Sequence, residues 1–235
     1  MLLNFEERTS DSPFVERIWR TRSERAGSFI SIALSHWQMC IWSRNGKTTL
    51  TMRGPETKAT TAYCPPDTEF FGIVFKPGTL IPDLPASQLV DGDLNLPDAT
   101  SKSFWLKGSA WEYPEYHNVE AFVDRLVREG LLVREPVVDA AVQGHSIDLS
   151  LRSVQRRFVQ TAGLTHTALR QIERARYATT RLQEGAPILD VIYEAGYADQ
   201  PHMTRSLKYY IGQTPAQLQP DGESEQLSFL FNTKS

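Results

Sequence analysis

Three side chains in the run Ser150-Leu151-Arg152-Ser153-Val154-Gln155-Arg156-Arg157-Phe158 have the types and spacing to read the base edges of a nucleic acid. Arginine offers a fork of donors that matches guanine O6 and N7, and glutamine offers a donor beside an acceptor that matches adenine N6 and N7. Arg152, Gln155 and Arg156 lie three and four residues apart, so one helix presents them together. A second run, Gln200-Pro201-His202-Met203-Thr204-Arg205-Ser206-Leu207-Lys208, repeats the plan. There Met203 and Leu207, four apart, mark a side to be buried and leave Gln200, His202, Thr204, Arg205 and Lys208 facing outward. Nothing comparable points to catalysis or to a cofactor. Cys40 and Cys64 have no CxxC spacing, no HxH pair is present, and buried, inert thiols are the expectation.

The elements around these runs are legible. Pro136 suits a helix start, and Val137 to Val142 form a short apolar helix ended by Gly144. Ser150 is a natural N-cap for a helix that should bury Leu151, Val154 and Phe158. Thr165 caps a longer helix to about Leu182, with Leu169, Ile172, Ala175, Thr179 and Leu182 on one stripe and a length of about 27 Å. Gly185 stops it, Pro187 starts another short helix, Gly196 turns the chain, and Asp199 caps the helix that carries Arg205. The order is helix, turn, helix, twice. Among the remaining arginines, Arg170, Arg174, Arg176 and Arg181 read as a solvated face or as partners of Glu173 and Glu184, and Arg157 reads as structural.

At this point the sequence resembles the AraC/XylS-type bacterial transcription regulators. The long pattern of their double helix-turn-helix domain appears as Ser150, Arg152, Val154, Arg156 and Phe158, then Gly163, Arg174, Ala178 and Leu182. It continues through Ile188, Gly196-Tyr197, Asp199-Gln200, Arg205 and Lys208 to Gly212-Gln213-Thr214-Pro215. The resemblance implies that Arg152, Gln155 and Arg156 read bases from one recognition helix, and that Gln200, His202, Thr204 and Arg205 contact DNA from the other. It also implies successive major-groove segments about one turn, or 34 Å, apart. Departures are Met203 and Leu207 where phenylalanine is common, Ile192 where alanine is common, and Pro201 in place of a small polar residue, which removes a donor near the phosphates.

The fold class expected is α+β. A β-rich barrel or sandwich with a linking helix occupies residues 1–135, an all-α domain with two helix-turn-helix motifs occupies 136–218, and 219–235 is a polar tail. In the first part Ser28 to Trp37, Gln38 to Arg44, Lys47 to Arg53, Thr60 to Cys64 and Glu69 to Lys76 are the expected strands. Asn45-Gly46 is the dipeptide for a two-residue hairpin turn. Val119, Phe122, Leu126 and Val127 switch the period to that of a helix. The tail is expected to fray apart from an apolar anchor at Leu227, Phe229, Leu230 and Phe231.

Charge says little by itself. The chain of 235 residues carries a formal net charge of -3. Residues 137 to 218 hold nine Arg and Lys against seven Asp and Glu, which leaves the helical part at +2. No apolar run is long enough for a signal peptide or membrane span, so a cytoplasmic, nucleoid-associated location and no membrane partner are expected. The expected partners are promoter DNA and RNA polymerase, with activation the commoner mode in the family. A small-molecule effector held by Trp37, Trp42, Phe71 and Phe75 and a homodimer are further expectations for the first domain. The rival readings are a protein-interaction module, for which the helix from Val119 to Leu132 would serve, and a DNA-repair alkyl-transfer enzyme, which would need a thiolate cluster.

Overall fold

The computed structural model describes residues 3–228. The chain opens with β1 (Leu3–Arg8), β2 (Val15–Ser23), β3 (Gly27–Ser31), β4 (Gln38–Arg44), β5 (Lys47–Arg53), β6 (Thr60–Cys64) and β7 (Thr68–Phe75). The hairpin at Asn45-Gly46 forms as expected: both residues take positive φ, 50° and 75°, and Arg44 pairs Lys47 across them. Short strands follow: β8 (Thr79–Leu80), β9 (Asp93–Asn95), β10 (Asp98–Thr100), β11 (Ser103–Leu106) and β12 (Ser109–Glu112). After α1 (Val119–Arg128), β13 (Val133–Arg134) pairs back onto β8.

The main sheet is antiparallel in the order β1-β2-β7-β4-β5-β9. Strand alternation gives it two apolar faces. Ile18, Met39, Ile41, Leu50, Met52, Ile73 and Phe75 form one, buried under α1 and the β10-β11-β12 sheet through Phe104, Trp111, Val119, Val123 and Leu126. Trp19, Cys40, Phe70 and Val74 belong to the other, over which the separate β3-β6 ribbon lies. A Cβ on Gly72 would sit 2.2 Å from the Trp19 ring, so only glycine lets that indole cross β7. Among the described residues no pairing joins β1 to β9, and of the two architectures expected the layers make a sandwich.

Three expectations change. The strand placed at Ser28 to Trp37 stops at Ser31, because the backbone beyond it turns to other partners: Ala33 N–H donates to Tyr210 O at 2.8 Å and Leu34 N–H to Glu56 O at 2.9 Å. The linking helix ends at Arg128 rather than Leu132, and its apolar face is already occupied by the molecule's own core. The tail is held at its expected anchor Leu227, which pairs with Ile30, but by backbone as well as apolar contact: Ile30 N–H donates to Gln226 O at 2.9 Å and Ser228 N–H to Ile30 O at 2.7 Å, so 226–228 runs beside β3. Phe229, Leu230 and Phe231 lie outside the described residues.

The helical part consists of α2 (Pro136–Val142), α3 (Leu151–Ala162), α4 (His166–Gln183), α5 (Ile188–Glu194), α6 (Gln200–Tyr210) and α7 (Pro215–Leu218). Its largest core joins Ala175, Ala178, Leu182, Val191, Met203, Leu207, Ile211 and Leu218 to Ile30, Ile32 and Leu34 of the β part. No helix among the described residues is long and apolar enough to cross a membrane.

Candidate nucleic-acid interface

The first helix pair is built on a small core. Pro136 opens α2, and the Glu135 side chain accepts from Val137 N–H at 3.3 Å. Ser150 caps α3 by accepting from Ser153 N–H at 3.2 Å, and Gly163 ends it in the left-handed conformation at φ 75°. Val138, Phe158, Ala162 and Leu169 close the space between α2, α3 and α4. Gly163 also sits 3.0 Å, measured from an ideal Cβ, from Ala86 O, Pro55 and Val90, so this turn is wedged on the β part. Arg157 pairs with Glu135 at 3.1 Å, the structural role expected of it. Leu151 corrects the sequence reading: it is 74 % exposed, although it lies on the stripe of Phe158.

The second pair is built on the larger core. Thr165 caps α4 by accepting from Ala168 N–H at 3.1 Å. Asp199 caps α6 by accepting from His202 N–H at 2.6 Å, and Met203 and Leu207 are fully buried. His202 is half-buried, with Nδ1 accepting from Ala198 N–H at 3.3 Å and the ring edge-on to Tyr197 at 5.2 Å. Those contacts tie it to the turn. Thr204 is half-buried, whereas Gln200 and Arg205 are exposed.

Arg152, Gln155, Arg156, Gln200 and Arg205 therefore share a condition: each is exposed, and within the described residues no side-chain hydrogen bond or ion pair engages it. Of the other arginines in the helical part, Arg170 on α4 is exposed and likewise without a side-chain partner among the described residues, and Arg157, Arg174, Arg176 and Arg181 are engaged. Arg181 bonds Glu184 at 2.8 Å and Glu194 at 2.9 Å, and Arg174 lies over the Tyr197 ring at 4.4 Å. Arg176 is buried rather than solvated, with its guanidinium 3.7 Å from Glu173 and 3.5 Å from Ala33 O. Burial lowers its pKa to about 10 against the opposing pull of Glu173, and it stays charged at neutral pH. The pairing with Glu173 was one of the two readings the sequence allowed, but not the burial, which depends on where α4 docks.

The four aromatics expected to line an effector pocket do not share a cavity. Trp37 and Phe75 stack at 4.1 Å inside the closed core on the α1 side, and Phe71 packs at the edge of that core. Trp42 pairs with Phe70, so it projects from the opposite face, with its indole N–H on Thr51 Oγ1 at 3.2 Å. Phe71 does line an open cleft of about 840 Å³, together with Arg20, Arg22, Glu69, Lys102, Tyr113 and Tyr116.

A smaller and more enclosed cavity, about 240 Å³, lies between the sheet and the β3-β6 ribbon. Its walls include Phe5, Trp19, Phe29, Phe70, Cys40 and Cys64. At a polar end, Arg53 bonds Glu56 at 2.6 Å and Ser31 donates to Glu56 at 2.7 Å. Burial pushes the Cys40 thiol up to about 11 and raises that of Cys64, so both stay protonated at neutral pH. The sequence signal for this cavity was the alternation Gln38, Cys40, which only the register with β7 assigns to a face. Among the described residues no group of three His, Cys, Asp or Glu side chains is placed to hold a metal ion.

Two capped helix pairs, each ending in a helix with free Arg and Gln side chains, define a DNA-binding protein of the helix-turn-helix class. Residues 145–220 match the family model described as a helix-turn-helix domain. That segment is of the AraC type, and the protein is a DNA-binding transcription regulator whose β-rich part lies outside the match. Neither a curated protein nor a solved structure gives a match to the chain.

Proposed function

We propose that the protein, through its segment 136–218, reads two successive major-groove segments of one operator, α3 entering the first and α6 the second. The observation that carries this reading is the set of five exposed, unengaged readers, Arg152, Gln155, Arg156, Gln200 and Arg205, set on α3 and α6 with one helix between those two motifs. That helix, α4, has 18 residues and so spans about 27 Å, compatible with a separation near the 34 Å of one duplex turn. Phosphate contacts set the register of such a complex, and the readers choose the bases. His202 serves mainly to hold the turn before α6, and Thr204 adds a contact from the groove edge. Bound there, the protein recruits or blocks RNA polymerase.

The β part supplies control. The ligand it takes is a small, largely apolar molecule with one polar group, held in the 240 Å³ cavity with its polar group toward Arg53, Glu56 and Ser31. Support comes from what the cavity wall touches. Ile32 and Leu34 line it and also belong to the core of the second motif, and Ala33 and Ala59 N–H donate to Tyr210 O and Tyr209 O at the end of α6 at 2.8 and 2.9 Å. A ligand that shifts this wall shifts α6.

Selection of bound sequences from random duplex DNA tests the DNA reading. The expected result is two conserved blocks about one helical turn apart, preferred over a scrambled duplex by several kcal/mol at physiological salt. Enrichment of a single block would assign base reading to α3 alone.

A further inference from the structure

Leu151 is the first residue of α3, directly after the Ser150 cap. Its seven-residue spacing from Phe158 places both on one stripe, yet Phe158 is 1 % exposed and Leu151 is 74 % exposed, the highest value for any leucine among the described residues. The cause is the length of the support. The core of Val138, Phe158, Ala162 and Leu169 backs the later turns of α3, and the first turn projects past it. Helical side chains lean toward the N-terminus, which carries Leu151 still further out.

A lone exposed leucine needs no explanation. The neighbours of this one matter. At 100° per residue, Leu151, Gln155, Arg152 and Arg156 fall in that order within an arc of about 140°, with Leu151 one turn from Gln155. The other three are the free polar readers of the first motif, and the first turn of a recognition helix approaches base edges most closely. Arg and Gln recognise donors and acceptors on guanine and adenine. The thymine C5-methyl offers neither, and only an apolar group reads it.

We infer that Leu151 is a specificity-determining residue of the first motif, which buries a thymine C5-methyl at the edge of the first block. The inference rests on the DNA reading proposed above. It also sets the motifs apart, because the first residue of α6 is Gln200, which has no apolar end to offer.

The test replaces each thymine of the first selected block by uracil, which keeps the pairing edge and removes only the methyl. Wild type should lose about fourfold in affinity at one such position, the ratio expected for one buried methyl-sized group. L151A should bind the dT and dU duplexes equally, near the wild-type affinity for dU, and L151M should retain the wild-type difference. Unchanged melting temperatures for both variants would show that the fold is intact, as expected for so exposed a site. If L151A keeps the full difference, or no first-block uracil alters wild-type affinity, the inference is overturned and the two-block reading stands. If selection enriches no sequence, both fall together.

Discussion

The two helix-turn-helix motifs differ less in sequence than in what holds them. The first is closed by Val138, Phe158, Ala162 and Leu169 and reaches the β part through the Gly163 turn and the α2 start. The second has the larger core, but shares it with the β part: Ile30, Ile32 and Leu34 belong to it, and the end of α6 is hydrogen bonded to Ala33 and Ala59. A displacement of β3 therefore acts on α6 directly, and on α3 at its far end, where Ala33 packs against Leu164 in the turn into α4. The first motif rests on β8 and the turn at Ala86–Gln88, and the second is the one that shares its core with β3.

The largest effects should come from the two cores. Phe158→Ala is expected to cost about 3–5 kcal/mol and Leu207→Ala about 2–5 kcal/mol, since each empties a fully enclosed site. Native-state hydrogen exchange should separate them. Loss of Phe158 should raise exchange in α2 and α3 and leave β3 protected, whereas loss of Leu207 should raise it at Ile30 and Ala33 as well. Faster exchange in β3 on loss of Phe158 would mean that the motifs are one cooperative unit and would break the comparison.

Next come the readers. Arg152→Ala and Arg156→Ala should each cost about 1–3 kcal/mol in binding to the selected duplex, with little change toward a scrambled one, if they bond guanine in bidentate fashion. Arg205→Ala should do the same for the second block. Equal loss on both duplexes would assign that arginine to a phosphate instead.

How much of this was legible follows from the range over which each feature is determined. The hairpin at Asn45-Gly46 and the caps Ser150, Thr165 and Asp199 are local, because a dipeptide or a four-residue turn fixes them, and all four stand where the sequence put them. The exposure of Arg152, Gln155 and Arg156 on α3 and of Gln200 and Arg205 on α6 was legible for the same reason. Leu151 was misread because periodicity gives the side of a helix and not how far the supporting core extends along it. Trp42 and Phe71 were grouped by composition, but the register of β4 on β7 puts them on opposite faces. The burial of Arg176 and the run of Gln226 to Ser228 beside β3 depend on contacts between distant parts of the chain, which no local pattern carries.

The seam between α4 and the β part also predicts a response to pH. His36 is buried beside Ser35, whose Oγ is 2.8 Å from Nδ1, and faces Glu173 at 3.9 Å, with Glu16, Arg176 and Arg17 around it. Burial lowers its pKa from 6.5 despite the pull of Glu173. The unfolded chain then takes up the proton more readily than the folded one. Stability is full above His36's ordinary range and falls as the pH drops through it toward the folded value. Glu7, raised by burial, works in the opposite direction near its own ordinary value of 4.5, and Glu120, held at about 2 by Arg8, titrates well below. The melting temperature should therefore decline from pH 7 to pH 5, and His36→Gln should flatten that decline. An unchanged slope in the variant would remove His36 from the seam's energetics.

The smallest expected effect sharpens the comparison most. Ser228 Oγ accepts from Ile32 N–H at 3.1 Å, and Ser228 lines the same cavity as Ile32, so the tail holds β3 at the point where cavity and second motif meet. Ser228→Ala leaves that amide without its partner, at a cost near the low end of the range, about 1 kcal/mol, because the adjoining cavity admits a water to replace the hydroxyl. Exchange should quicken at Ile32, and affinity should change in the second DNA block while the first keeps its own. An equal change in both blocks would show that β3 acts on the two motifs alike, and the distinction drawn from their supports would not survive.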